Sequence, residues 1–160
     1  MRLIPFAFVI ACGGPTAEMP LTVPLGLTHD ATDQALRAHQ FCRPASRELP
    51  SSHQIYPRCD RAGAEISDAW VTATFDGDKL IELRRWERYA DDALAVQRWN
   101  ELVSARIKTS PAIDAPAKLE PGARSMRAFR GEGGTSVGVY LITPSPPENA
   151  SILEKIVYPQ

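Results

Sequence analysis

The sequence predicts an α+β domain: a two-layer sandwich of two main helices packed on one antiparallel β-sheet. Three observations predict it. Segments near 29–40 and 92–108 space their apolar residues for helices, two runs flanking Asp76-Gly77-Asp78 alternate as hairpin strands do, and the last third of the chain reads as strands. Helices alternating with groups of antiparallel strands are expected to cover one face of a single sheet.

The elements follow in order. Thr28 is a favoured N-cap, and Asp30 and Asp33 suit the acidic start of a helix. Leu27, Ala31, Ala35, Leu36 and His39 fall near one face, so a helix is expected over 29–40. Residues 54–59 read as a short strand that Pro57 confines to a sheet edge. In the next run Val71, Ala73 and Phe75 share one side. Beyond the turn, Ile81 and Leu83 are the expected apolar set, and an odd-length loop would bring them to the side of Val71 and Ala73. Asp91 or Asp92 caps a longer helix that ends near Lys108, before Ser110-Pro111. Its expected stripe is Leu94, Val96, Trp99, Leu102, Val103 and Ile107, with Gln97, Arg98, Asn100, Glu101, Arg106 and Lys108 mostly opposite. Residues 111–122 read as a loop. Strands are expected over 125–130, 135–142 and 152–158, joined first by Gly131-Glu132-Gly133-Gly134 and then by the proline-rich run 143–149.

A chain of 160 residues suits one domain with a real core, and 44% hydrophobic with 23% charged residues is ordinary for a globular protein. A formal charge of −1 gives no electrostatic case for nucleic acid.

The N-terminus carries the strongest single signal. Arg2 is followed by a short apolar stretch and then Val9-Ile10-Ala11-Cys12, the order of a secretory signal. The stretch is too short to span a bilayer as a helix. A buried strand would leave the basic start and the Ala-Cys junction unexplained. Val9-Ile10-Ala11-Cys12 resembles a bacterial lipobox. The resemblance implies cleavage after Ala11, a thioether-linked diacylglycerol on Cys12 and acylation of the new N-terminus. Gly13 in place of an Asp is similar to enteric lipoproteins sorted to the outer membrane. Each buried methylene of an acyl chain contributes about 0.8 kcal/mol, so two or three chains anchor firmly. The expected organisation is a signal peptide over 1–11, a flexible tether over 12–24 and one α+β domain over 25–160.

With Cys12 lipidated, Cys42 and Cys59 remain as an even pair in an oxidising compartment, where a disulfide is expected. The run between them has little apolar content, so a covalent clamp makes physical sense. The rival reading is a redox or metal pair, which the wide spacing and the lack of a Cys-x-x-Cys motif disfavour.

Two fragments resemble the small lipoprotein domains of the BamE/SmpA type and of the β-lactamase-inhibitor-protein fold. Leu25-Gly26-Leu27-Thr28 leading to Ala31 and Ala35-Leu36 is similar to the start of their first helix, and 71–83 is similar to their strand–turn–strand. Phe41-Cys42-Arg43-Pro44 stands where those domains carry Gly-x-Pro, and the second helix here follows the hairpin. The resemblance implies a non-enzymatic binding domain at the outer membrane and assigns no binding residue.

The best surface candidate is Arg84-Arg85-Trp86-Glu87-Arg88-Tyr89 with Trp70: Arg84, Trp86, Arg88, Tyr89 and Trp70 are of the types enriched in binding hot spots. The competing explanation is that the tryptophans cover the back of the sheet with arginines stacked over them. His29 and Asp33, one turn apart, could share a metal, but nothing in the sequence completes the ligand set, and a solvated helix start explains them. Asp76-Gly77-Asp78 is a fragment of a calcium loop without its later ligands, and a tight turn accounts for it. Gly131-Glu132-Gly133-Gly134 leads into a strand, whereas a phosphate loop leads into a helix. Ser51-Ser52-His53 and Ser67-Asp68 bring nucleophile and base types together only along the sequence. Asn149-Ala150-Ser151 has the pattern of a glycosylation sequon.

The expected function is therefore that of an outer-membrane-anchored lipoprotein. Its monomeric, non-catalytic domain faces the periplasm or the surface and serves a protein-binding or envelope-structural role. No cofactor, metal or nucleic acid is expected; the partners are the membrane, through the lipid, and an envelope protein. The alternatives are an exported hydrolase acting on cell-wall or extracellular polymers, or a protein inhibitor.

Overall fold

The sheet is assembled around its last strand. In the computed structural model, which describes residues 19–44, 52–61, 68–114, 119–143 and 150–159, the strands are β1 (His53–Pro57), β2 (Ala69–Asp76), β3 (Lys79–Arg88), β4 (Ala112–Ile113), β5 (Ala123–Arg130), β6 (Ser136–Ile142) and β7 (Ser151–Val157). They form one seven-stranded sheet in the order β1-β2-β3-β7-β6-β5-β4, antiparallel throughout. Two helices, α1 (His29–Ala38) and α2 (Asp92–Thr109), complete an α+β fold among the described residues. Leu36 of α1 and Ala95, Leu102 and Val103 of α2 share one buried cluster with Val71, Ala73, Leu83, Val139, Ile152 and Ile156 of the sheet.

Local chemistry sets the boundaries. The Thr28 hydroxyl accepts from the amide of Ala31 at 3.3 Å, and the Asp91 carboxylate accepts from the amide of Leu94 at 2.9 Å, so both helices begin at side-chain caps. After α1, Gln40 takes φ +64, a left-handed conformation that reverses the chain, and its carbonyl accepts from the amide of Cys59 at 2.8 Å. Cys42 and Cys59 are joined by a disulfide, which ties the end of α1 to the end of β1 beside the Phe41–Arg58 bridge. Closing a loop of this length contributes on the order of 3 kcal/mol by restricting the unfolded chain. β1 is an edge strand, as Pro57 requires.

Three expectations are corrected. First, the β2–β3 loop is not odd-length. Asp76 pairs with Lys79 across the two-residue turn Gly77-Asp78, and the extra residue is a bulge further in, where Thr74 faces Glu82 but Phe75 faces Leu80. Ile81 is that extra residue and is 40% exposed, so Leu80 and Leu83 carry the apolar role instead.

Second, α2 buries only the middle of the expected stripe: Leu102 and Val103 are buried, and Val96 and Trp99 pack against the core. Leu94 and Ile107 are exposed, whereas Arg98 and Arg106 are buried beside Ala95, Leu102 and Val103. The reason lies in the sheet. Arg85, Glu87 and Glu154 occupy inward positions of β3 and β7, and buried charge has to be paired. Glu154, with no exposed surface, meets Arg85 at 2.8 Å and Arg106 at 2.5 Å. Glu87 meets Arg98 at 3.0 Å and accepts from the Tyr89 hydroxyl at 2.5 Å.

Third, the domain takes in part of the segment assigned to the tether. Pro20, Leu21 and Val23 are buried. The Leu21 amide donates to Glu154 at 3.1 Å, its carbonyl accepts from Arg106 at 2.5 Å, and the Met19 carbonyl accepts from Arg85 at 2.9 Å. Residues 12–18 of that segment, with Cys12 and the run 1–11 read as a signal peptide, lie outside the described residues.

Removing one partner of a buried pair strands the others. Glu154→Gln is expected to lower stability by about 3 kcal/mol or more, read as a reduced urea midpoint, because Arg106 loses its counter-charge and Arg85 keeps only Glu87. Burial works to raise the Glu87 carboxyl, but the guanidiniums of Arg85 and Arg98 and the Tyr89 hydroxyl outweigh it and hold the group below its usual range. A depressed carboxyl contributes stability above its unfolded value, and that contribution is lost as pH falls through the folded value. Wild type should therefore lose stability steeply between about pH 5 and 3, and Glu87→Gln, weaker at neutral pH, should show a shallower acid decline.

Candidate binding face

The side of the sheet turned away from the main core carries a band of large side chains. Cross-strand registers align Trp70 with Trp86, Trp86 with Leu153, Leu153 with Tyr140, and Tyr140 with Met126, giving one row across five strands. Tyr140, Ile142 and Leu153 form a second buried cluster there, with Trp86, Ala123 and Met126 packed against it; neither helix contributes to it. The Trp70 and Trp86 rings stack at 6.1 Å with an interplanar angle of 14°, and the Arg88 guanidinium lies 4.8 Å over the Trp70 ring. Both rings are half-buried and Arg88 is exposed. Hairpin pairing explains the assembly: residues 70, 86 and 88 fall on the same side because the side-chain period of a strand is two.

Of the five candidate surface residues, four thus share this face. Arg84 joins Trp70, Trp86 and Arg88, donating from Nε to Glu82 at 2.7 Å. Its guanidinium is held above its usual range first by that hydrogen bond, against the opposing effect of burial. Tyr89 is elsewhere: it packs against the main core, and its hydroxyl is bound to Glu87.

The next row of the face bears charges over a cavity of about 720 Å³. Lys155 donates to Glu120 at 2.6 Å and lies 3.5 Å from Glu82, while Arg84 lies 3.7 Å from Glu120. These four groups neutralise one another. The floor is Gly138, Tyr140, Met126 and Ala128, and the rim includes Ile113, Leu119 and Tyr158, each more than a third exposed. A methyl group added at Gly138 would sit 2.6 Å from the Tyr140 ring, so the glycine is what lets that ring lie flat. Burial pushes the Tyr140 hydroxyl up, and nearby Lys155 opposes it.

Sequence reasoning did not single out Gly138, Tyr140, Lys155, Glu82 or Glu120. A signal was present: a glycine inside an otherwise β-branched strand marks a close approach.

The other candidates resolve differently. His29 is buried rather than solvated. Its ring stacks on Phe75 at 3.7 Å, and Nδ1 lies 2.8 Å from an Asp78 carboxylate oxygen, which that hydrogen bond holds below the usual range. Asp33 accepts instead from the Tyr56 hydroxyl at 2.6 Å, and burial with that bond raises the Tyr56 hydroxyl well above its usual range. Among the described residues no group of three His, Cys, Asp or Glu side chains is placed to hold a metal. Asp76-Gly77-Asp78 is the hairpin turn, with Gly77 at φ +57. Glu132–Gly134 is a short 3-10 turn between β5 and β6. The Ser52 hydroxyl lies 3.2 Å from His53 Nδ1 on the exposed sheet edge. Ser51, Ser67 and Asn149 lie outside the described residues.

Compared with known proteins, the chain matches no family model, no curated protein and no solved structure. Function has to be read from the residues themselves.

Gly138→Ala is expected to destabilise by about 1–3 kcal/mol, because the added methyl must displace the Tyr140 ring from a packed position. A lowered denaturation midpoint together with an altered tyrosine signal in the near ultraviolet checks it.

Proposed function

We propose that this chain is an outer-membrane-anchored lipoprotein. Its α+β domain, a two-layer sandwich with both helices over one side of the sheet, has no catalytic role and binds an envelope protein. The observation that carries the proposal is the run Val9-Ile10-Ala11-Cys12 behind a basic, apolar start. The Cys42–Cys59 disulfide supports the same compartment, since such bridges persist in oxidising surroundings. The helix-free side supports a binding role: it combines aromatic and arginine side chains with an apolar-rimmed cavity, while the charged groups beside that cavity are satisfied by one another.

Two measurements test the proposal. The intact mass of protein extracted from membranes should match a chain from Cys12 carrying acyl groups, with two further thiols alkylated only after reduction. A photo-crosslinking residue at Leu119 or Tyr158 on the rim should capture a discrete envelope protein in cells, and the same residue at Ile107 on α2 should not. An unprocessed chain refutes the anchor, and equal capture at both positions refutes the binding face.

A further inference from the structure

We propose that Trp70, Trp86 and Arg88 rest on the phospholipid headgroups of the membrane that holds the anchor, which leaves the cavity half of the same face for the protein partner. The proposal rests on lipidation at Cys12.

The buried strap at residues 19–23 has a defined path over the sheet. Leu21 is bound to Glu154, which pairs in register with Arg85 of β3. Five residues later, the Gly26 amide donates to the Leu80 carbonyl at 2.7 Å, and the Leu80 amide donates to Leu27 at 2.8 Å. The strap therefore runs opposite to β3, from the level of residue 85 down to the level of residue 80. Met19, its first described residue, lies at the level of Arg85, where its carbonyl accepts from the guanidinium at 2.9 Å, toward the end of β3 at Arg88. Trp86 and Arg88 close β3 at that end, Trp70 opens β2 there, and α2 begins just beyond.

Chain length then limits the geometry. Met19 is the first described residue, and six residues, or seven Cα-to-Cα steps, separate it from Cys12. A fully extended chain of that length reaches at most about 25 Å. Because Leu21 and Val23 are fixed in the core, the anchor cannot swing on a thirteen-residue leash, and this end of the sheet is held close to the lipid.

The side chains at this end match such a surface. Indoles favour the headgroup level, where one edge is apolar and the other wet, and an arginine stacked on them can meet phosphate. Two large apolar side chains elsewhere at this end are also exposed: Met19 at 74% and Leu94 at 48%. The exposed Asp68, whose carbonyl accepts from the Arg88 amide at 2.7 Å, adds a negative charge at this end, so the contact depends on indole burial more than on net charge. The cavity lies toward the opposite end, at the level of Glu82, Ser136 and Val157.

Depth-resolved fluorescence tests the idea in the full mature protein. It is reconstituted into vesicles of phosphatidylethanolamine with a minority of phosphatidylglycerol, their acyl chains brominated near the headgroup. In Trp99→Phe, which reports only Trp70 and Trp86, emission should fall about two-fold or more relative to unbrominated vesicles, as for indoles at the headgroup level. In Trp70→Phe/Trp86→Phe, which reports only Trp99 under α2, it should hold steady, and Arg88→Glu in the Trp99→Phe background should reduce the quenching. Circular dichroism verifies that each variant is folded. Intact mass on the same samples separates the two layers of inference. Acylated protein with unquenched Trp70 and Trp86 leaves the anchor standing and overturns the docking. A chain without acyl groups overturns both. Quenching that vanishes when the envelope partner is added would mark the tryptophans as a protein contact and would also overturn the proposal.

Discussion

Glu154 has no exposed surface, and a carboxylate in that position has to be neutralised from every side. It draws one arginine from its neighbour in the sheet, Arg85, and another from the helix above, Arg106, and it takes the Leu21 amide of the incoming chain. Three parts of the molecule that share no local sequence are thereby brought to one point. A second carboxylate, Glu87, repeats the arrangement toward the start of α2 with Arg98 and Tyr89. Apolar packing alone would let a helix slide or rotate on a sheet with little loss. Charges with directional partners allow one setting, because any shift leaves an ion unpaired in a medium that does not tolerate it.

That constraint also explains what was legible in the sequence. Elements governed by local rules were read correctly: the caps at Thr28 and Asp91, the edge position enforced by Pro57, the alternation of Val71, Ala73 and Phe75, and the three late strands. The paired cysteines were legible through parity, since they need no knowledge of geometry. The errors occurred where a distant partner overrode a local pattern. Arg98 and Arg106 look like solvated residues until the inward carboxylates on β3 and β7 are known. Ile81 looks like a core residue until the bulge at Thr74 is known. The strap at residues 19–23 has the composition of a linker, and only the buried ions beneath it make it part of the core. Of the candidate face, the tryptophan–arginine pairing was visible in the hairpin. The cavity was not, because its walls come from strands far apart in sequence.

The face of Trp86 and Tyr140 divides by height along the strands. Stacked indoles and Arg88 occupy one end, and paired charges over a glycine floor lie toward the other. In the lipid-anchored protein that we propose, those two ends have different neighbours, so one surface can meet two of them at once. The strap sets which end is which, and it does so through the same ions that fix α2.

The placement of β7 has a kinetic consequence. This strand, which follows the other six described strands in sequence, lies at the centre of the sheet, between the unit β1-β2-β3 and the unit β6-β5-β4, and it carries Glu154. Until residues 151–157 are available, the two halves have no shared edge and Arg106 lacks the carboxylate of Glu154. Contacts between such distant segments are slow to form, and a chain emerging N-terminus first cannot make them early. The two halves therefore stay unjoined until residues 151–157 have been made. In a chain exported through the secretory signal we propose, that delay keeps the preceding segments threadable.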